Sequence, residues 1–134
     1  MLDGLKILAA EDNALNAEIL EFMLNEGAAE VKLVENGLQE VLAFEKSKSG
    51  AFDLILTDVM MPVLNGYEAS EKIRAMERPD AKTIPIIGIS ANVFAEDIER
   101  GVQAGMDGYV TKPIDPEHLK ETIERILQEK KNKK

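Results

Sequence analysis

Glu11, Asp12, Asp58, Ser90 and Lys112 are residues of this 134-residue chain whose types fit together as one chemistry. Three carboxylates held close repel strongly unless a cation sits among them or some take up protons. Hard oxygen ligands with no histidine or cysteine beside them select Mg²⁺, Mn²⁺ or Ca²⁺ over zinc. Mg²⁺ keeps several waters and takes one or two carboxylates plus a phosphate oxygen, which suits such a group. An ammonium and a hydroxyl facing one of the carboxylates complete a phosphoryl-transfer site with a carboxylate nucleophile. Its product would be an aspartyl phosphate.

Taken singly, each of these residues has an ordinary explanation. Glu11 and Asp12 could cap a helix and favour its positive end. Asp58 could make a turn hydrogen bond, and Ser90 could cap the helix that follows it. A lone Lys112 is usually solvated, although Pro113 directly after it could form a cis bond that aims the lysine. Tyr109 reads as a partly buried aromatic on an edge strand. His118, the only histidine, falls in the first turn of the last helix, and is read as a surface residue without a chemical role.

What makes the set unusual is where the elements place it. Apolar periodicity alternates between two types along the chain. Short apolar runs at Leu5 to Ala10, Asp53 to Thr57 and Ile84 to Ile89 read as buried strands. Glu30 to Val34 alternates, and Gly108 to Val110 is short, so these two read as edges. Between them fall helical patterns: Ala14 to Glu26 with Leu15, Ile19 and Phe22; a second from Asn36 with Leu38, Val41 and Leu42; Gly66 to Met76 with Ala69, Ile73 and Met76 inward. Ala95 to Ala104 follows, with Ala95, Ile98 and Val102 on one face. A last helix is capped by Asp115 with Pro116 at its first position, and turns Leu119, Ile123 and Ile126 inward. Arg78 to Lys82 reads as a loop. Strands joined by helical crossovers pair in parallel and are covered on both faces. The expected fold is therefore α/β, a doubly wound parallel five-stranded sheet of flavodoxin-like order 2-1-3-4-5. Ligands of such sheets bind beyond the carboxyl ends of the strands, where Glu11, Asp12, Asp58, Ser90 and Lys112 all fall.

Composition narrows the setting. The length fits one domain over 1–134, with a core from about 5 to 127 and a solvated C-terminal tail over 128–134. Absent cysteine excludes a disulfide framework or a thiolate metal site and fits a cytoplasmic setting. The sequence has neither a signal-peptide pattern nor an apolar stretch of the ~20 residues needed to cross a bilayer. A formal charge of −9 opposes broad contact with nucleic acid. The lysines at 130, 131, 133 and 134 read as a solvated helix end.

The segments Ile7 to Asn13, Asp53 to Pro62, Gly88 to Ala91 and Gly108 to Pro113 closely resemble the bacterial response-regulator receiver family. The resemblance extends from about Leu5 to Leu127. It implies that Asp58 is the phosphoacceptor and that Asp12 ligates Mg²⁺ directly. Glu11 would reach the metal through water, and Met60 would contribute a backbone carbonyl. Lys112, Ser90 and the Ala91 backbone would bind the phosphoryl group, with Ser90 and Tyr109 acting as the conformational switch. Met60 and Asn92 occupy positions that look like modulators of phosphoaspartate lifetime. The implied donor is a phosphohistidine on a histidine kinase or histidine-phosphotransfer domain. The output would be a shift of the surface around the fourth helix, fifth strand and fifth helix. Such a domain catalyses its own phosphorylation and slow dephosphorylation without being a turnover enzyme, and is expected as a monomer or weak dimer.

Competing classes fit less well. A haloacid-dehalogenase-like phosphatase usually carries a second aspartate two residues after its nucleophile, where this chain has Met60. A flavin module wants a phosphate-cradling loop after the first strand, where Glu11 and Asp12 would repel phosphate. The wording around Ala10 to Asn16 and Ser90 to Phe94 looks like receivers attached to hybrid histidine kinases. A stand-alone regulator is the alternative.

Overall fold

The short apolar runs form strands because β-branched and leucine side chains can pack on both faces of a covered parallel sheet. In the computed structural model, which describes residues 3–61, 63–91 and 94–132, they are β1 (Lys6–Ala10), β2 (Glu30–Val34), β3 (Leu54–Asp58), β4 (Ile86–Ser90) and β5 (Gly108–Thr111). All pair in parallel in the order β2-β1-β3-β4-β5, as the strand pattern predicts. Every residue of β3 and β4 is buried, whereas β2 and β5 are only partly covered. The helices are α1 (Ala14–Glu26), α2 (Gly37–Lys46), α3 (Gly66–Arg74), α4 (Pro79–Thr83), α5 (Ala95–Ala104) and α6 (Pro116–Asn132).

Strand alternation divides the core in two. Ile7, Ala9, Leu54, Leu56, Ile87 and Ile89 face α1 and α6, where Leu20, Leu24, Leu119, Ile123 and Ile126 meet them. Leu8, Ile55 and Ile86 face the other layer, packed by Val41, Phe44, Ala69, Ile73, Ala81 and Ala104. Each fully buried Leu or Ile contributes roughly 1.5–3 kcal/mol. Away from the strand ends that carry the chemistry, Asp107 ties the layers together. Its carboxylate accepts the Ile86 N–H at 2.9 Å and pairs with Arg74 and Lys130, each at 3.0 Å.

Several sequence expectations need correction. Arg78 to Lys82 is not a plain loop, because Pro79 opens the short helix α4, which seats Ala81 in the core. Arg78 locks its start by donating to Asp80 and to the carbonyls of Phe44 and Ser47. The largest apolar residues also do not mark the buried faces of α1 and α5. Leu15, Ile19 and Phe22 are exposed while Ala17, Leu20 and Leu24 are buried, and Ile98 and Val102 are exposed while Gly101 and Ala104 are buried. On α5 the small buried residues let the helix lie close to its neighbours, whereas α1 buries a second leucine face and turns the first outward. At the C-terminus α6 continues to Asn132, with Gln128, Glu129 and Lys131 exposed and Lys130 paired with Asp107. Pro62, Asn92, Lys133 and Lys134 lie outside the described residues.

Candidate functional site

Parallel register delivers the chemical residues to one edge of the sheet. Asp58 ends β3 opposite Ile89, Ser90 ends β4 opposite Thr111, and Glu11 follows β1 with its N–H on the Val34 carbonyl. The Lys112 N–H donates to the Ser90 carbonyl at 2.9 Å, which sets the lysine beside that hydroxyl's strand. Its peptide bond to Pro113 is cis.

Asp58 is 1% exposed, so its carboxylate depends on protein partners. Its Oδ2 accepts from Lys112 Nζ at 2.7 Å, and its Oδ1 accepts from the Met60 N–H at 3.0 Å. The Met60 side chain points away from this arrangement into solvent. Lys112 Nζ also lies 3.3 Å from Glu11 Oε1, an oxygen that is buried without a hydrogen bond. The other Glu11 oxygen accepts the Asn13 N–H at 3.2 Å. Carboxylate oxygens of Glu11, Asp12 and Asp58 lie within 4.8 Å of one another.

Electrostatics record the crowding. Burial first, then Asp58, push the Glu11 carboxyl up to about 7, against the lowering effects of the Asn13 N–H and Lys112. Burial works to lower Lys112, but Asp58 and Glu11 outweigh it and hold the ammonium above its ordinary range. One ammonium thus faces two of the three clustered carboxyl groups, and a buried Glu11 oxygen lacks a hydrogen bond. A hard divalent cation fits this donor set.

The loop after Asp58 is gripped from two sides. The Gly37 N–H donates to the Leu64 carbonyl at 3.1 Å, and a Cβ on Gly37 would stand 2.2 Å from that oxygen. A Cβ on Gly66 would stand 2.7 Å from the Asp58 carbonyl. Both glycines are needed for close approach.

Tyr109 lies in the seam between α3 and α5. Its hydroxyl donates to the Asp97 carbonyl, stands 3.4 Å from the Tyr67 hydroxyl and is raised in pKa chiefly by burial. Ser90 is buried, Ala91 follows it at the surface, and His118 is exposed. A cleft of about 430 Å³ opens beside the carboxylates, lined by Glu11, Asn16, Ile19, Lys112, Pro113 and Ile114. It shares Ile19 with a second cleft of about 500 Å³ that runs along Phe22 and Met23. Two features were missed from sequence: the outward apolar stripe of α1 and a fully buried Glu40 on α2. Glu40 could have been found, since Gly37, Glu40, Val41 and Phe44 follow the i, i+3, i+4, i+7 spacing of a buried face.

A doubly wound sheet with an acidic triad and a lysine at its carboxyl edge defines a receiver-type site. The family model described as response regulator receiver domain matches residues 7–124. The hybrid signal transduction histidine kinase I of Dictyostelium discoideum is 37% identical over 120 residues, which are 88% of this chain and 7% of that protein. The receiver domain of sensor histidine kinase PA1611 from Pseudomonas aeruginosa PAO1, solved with a magnesium ion coordinated in its active-site cleft, is 38% identical. It superposes with a TM-score of 0.82 over 93% of this chain and 98% of its own. The receiver domain of Ssk1, co-crystallised with the phosphotransfer protein Ypd1 of Saccharomyces cerevisiae, represents a further likeness. That match has 28% identity and a TM-score of 0.81 over 92% of this chain and 88% of the other. The chain belongs to the response-regulator receiver domain family. It spans 7–15% of the length of the first curated relatives it matches. Among the described residues no helix is long and apolar enough to cross a membrane.

Proposed function

We propose that this chain is a phosphorelay receiver that takes a phosphoryl group from a phosphohistidine onto Asp58. The observation that carries the reading is the Lys112 ammonium 2.7 Å from a buried Asp58 carboxylate that shares its crevice with Glu11 and Asp12. An Asp58 carboxylate oxygen attacks the phosphorus as the phosphorus–nitrogen bond breaks, and the imidazole nitrogen retains that bond's electron pair. Lys112 follows the charge onto the transferring group, while the Ser90 hydroxyl and the Ala91 N–H donate to its oxygens. Asp12 and Asp58, the Met60 carbonyl and, through water, Glu11 would hold Mg²⁺, with Mn²⁺ as a substitute. When bound, the metal supplies positive charge that offsets the phosphoryl oxygens. The chain promotes its own phosphorylation, and water later resets Asp58. Labelling by acetyl phosphate, read by intact mass in wild type and Asp58→Asn, tests the reading.

The ligand roles predict unequal losses. Glu11→Gln should weaken Mg²⁺ binding about tenfold, the scale of a lost outer-shell partner, and Asp12→Asn should weaken it more. Metal titration of both variants decides it; equal losses, or none, would overturn the assignment.

We further assign 1–134 as one receiver of a cytoplasmic hybrid histidine kinase that relays the group without contacting nucleic acid, as a monomer or weak dimer. The family match and the likeness to receivers of sensor kinases support this context. Ser90 and Tyr109 couple the site to the face formed by α5, β5 and α6. Space for the inward Tyr109 comes from Gly101, where a Cβ would stand 1.9 Å from the tyrosine hydroxyl oxygen. Gly101→Ala should therefore expel the ring from the α3–α5 seam. Nuclear Overhauser contacts between Tyr109 and Tyr67 should vanish in that variant, and their survival would contradict the packing argument.

A further inference from the structure

Glu40 has no part in the chemistry described above, yet it is one of the most deeply buried polar groups among the described residues. It is 0% exposed, and neither carboxyl oxygen makes a hydrogen bond. Thr57, also 0% exposed, has a hydroxyl without a hydrogen bond. The two groups are neighbours between α2 and β3, and no hydrogen bond is formed between them. Apolar neighbours dominate the surroundings: Leu8, Val41, Phe44 and Ile55 belong to the same core layer. Neither Lys6 of β1, Asp58 of β3, nor Glu68, Glu71, Lys72 or Arg74 of α3 acts on the carboxyl. Burial raises its pKa well above the ordinary value of 4.5, and only Thr57 opposes it.

An ionised carboxylate enclosed this way, without a cation, carries an uncompensated desolvation cost. Protonation removes that charge and supplies an O–H donor beside a C=O acceptor. A threonine hydroxyl can both give and receive, so the two can satisfy each other after a small side-chain rotation. Thr57 is the residue directly before Asp58 and is fixed in the ladder between Ala10 and Gly88. On the other side of Asp58, the same helix grips the Leu64 carbonyl through the Gly37 N–H. Helix α2 thus lies against the chain immediately before the phosphoacceptor and holds the chain shortly after it.

We propose that Glu40 is kept as a neutral carboxylic acid that pairs with Thr57 and so positions Asp58 from behind the sheet. It is a positioning residue, and its effect on labelling rests on the phosphoacceptor reading of Asp58. The neutral state does not depend on that reading, so the two parts can be tested separately.

The first test is the pH dependence of unfolding. An unfolded Glu40 ionises above its ordinary value of 4.5, whereas burial makes the folded one hold its proton to higher pH. The unfolded state therefore binds fewer protons, and stability falls as pH rises until the folded group itself ionises. Glu11 shifts in the same direction but is common to wild type and Glu40→Gln, so their difference isolates Glu40. Above pH 5.5, the folding equilibrium of wild type should fall with rising pH relative to Glu40→Gln, by up to about tenfold per pH unit. Parallel curves would overturn the neutral acid.

The second test is acetyl-phosphate labelling of Asp58 with Mg²⁺, at a temperature where circular dichroism shows every variant folded. Glu40→Ala should label about tenfold more slowly, as small displacements of a reacting group can cause. Glu40→Gln, neutral and of the same shape, should restore the rate to within about twofold of wild type, taking that span as small against the effect. Thr57→Val should slow labelling like Glu40→Ala, and the double variant should be no slower than either single one. A folded Glu40→Ala that labels at the wild-type rate, or slowing in the two variants that multiplies, overturns the positioning role. Wild type that fails to label at all overturns the phosphoacceptor reading and the positioning role with it, while the melts still decide the neutral acid.

Discussion

Wild-type protein given Mg²⁺ and acetyl phosphate should gain one acid-labile phosphoryl group, and Asp58→Asn should gain none. The effect is all-or-none because an amide is a far poorer nucleophile than a carboxylate and cannot form the mixed anhydride. Asp12, the other acid at the open edge of the crevice, lacks the geometry of Asp58. Lys112 directs its shortest contact, 2.7 Å, to Asp58 Oδ2, and the Met60 N–H fixes the other oxygen at 3.0 Å. Both contacts fix the orientation of the carboxylate. Lys112→Ala should also be severely impaired, because it leaves a buried carboxylate without its cation and removes the charge that follows the phosphoryl oxygens. Intact mass before and after mild acid or hydroxylamine treatment reads the result. A phosphoryl group of equal occupancy on Asp58→Asn would place the chemistry on another residue.

The order of the sheet was readable because strands buried on both faces are apolar throughout, whereas edge strands alternate or are short. Residues Ile86 to Ser90 and Glu30 to Val34 show the contrast. The meeting of Glu11, Asp12, Asp58, Ser90 and Lys112 was readable for the same reason: parallel strands all end on one side. Helix faces were less legible. On α1 both Leu15, Ile19, Phe22 and Ala17, Leu20, Leu24 recur at helical spacing, so periodicity does not choose between them, and the second set is the buried one. The same happened on α5, where Gly101 is buried because Tyr109 occupies the space beside it. Glu40 escaped notice because a glutamate on a helix is ordinarily solvated; only its companions Val41 and Phe44 reveal the buried face. Helix α4 was hidden by its length, since five residues give no periodicity to read.

The outward stripe of α1 leads to the second large effect. Leu15 is 64% exposed and Phe22 66%, with Ile19 between them joining the clefts beside Lys112 and beside Met23. Such an apolar surface next to a reactive crevice suits a helical partner that must present a phosphohistidine there. Ala14 is exposed in the first turn, close in sequence to Glu11 and Asp12, whereas Ala17 is buried against the core. Ala14→Arg therefore adds bulk and charge to the approach surface without opening the core; Ala17→Arg would confuse docking with folding. Transfer from a phosphorylated histidine-phosphotransfer domain that loads wild type should slow about 30-fold in Ala14→Arg, the loss of a central contact. Labelling by acetyl phosphate, which needs no docking surface, should stay within about twofold, the range of ordinary surface substitutions. Rapid-quench transfer assays with both donors separate the outcomes. Equal slowing with both donors would mean that the substitution disturbs the crevice itself. Transfer that proceeds at the wild-type rate would move the donor's contact away from α1. Sequence-specific binding of the phosphorylated chain to promoter DNA would overturn the relay reading altogether.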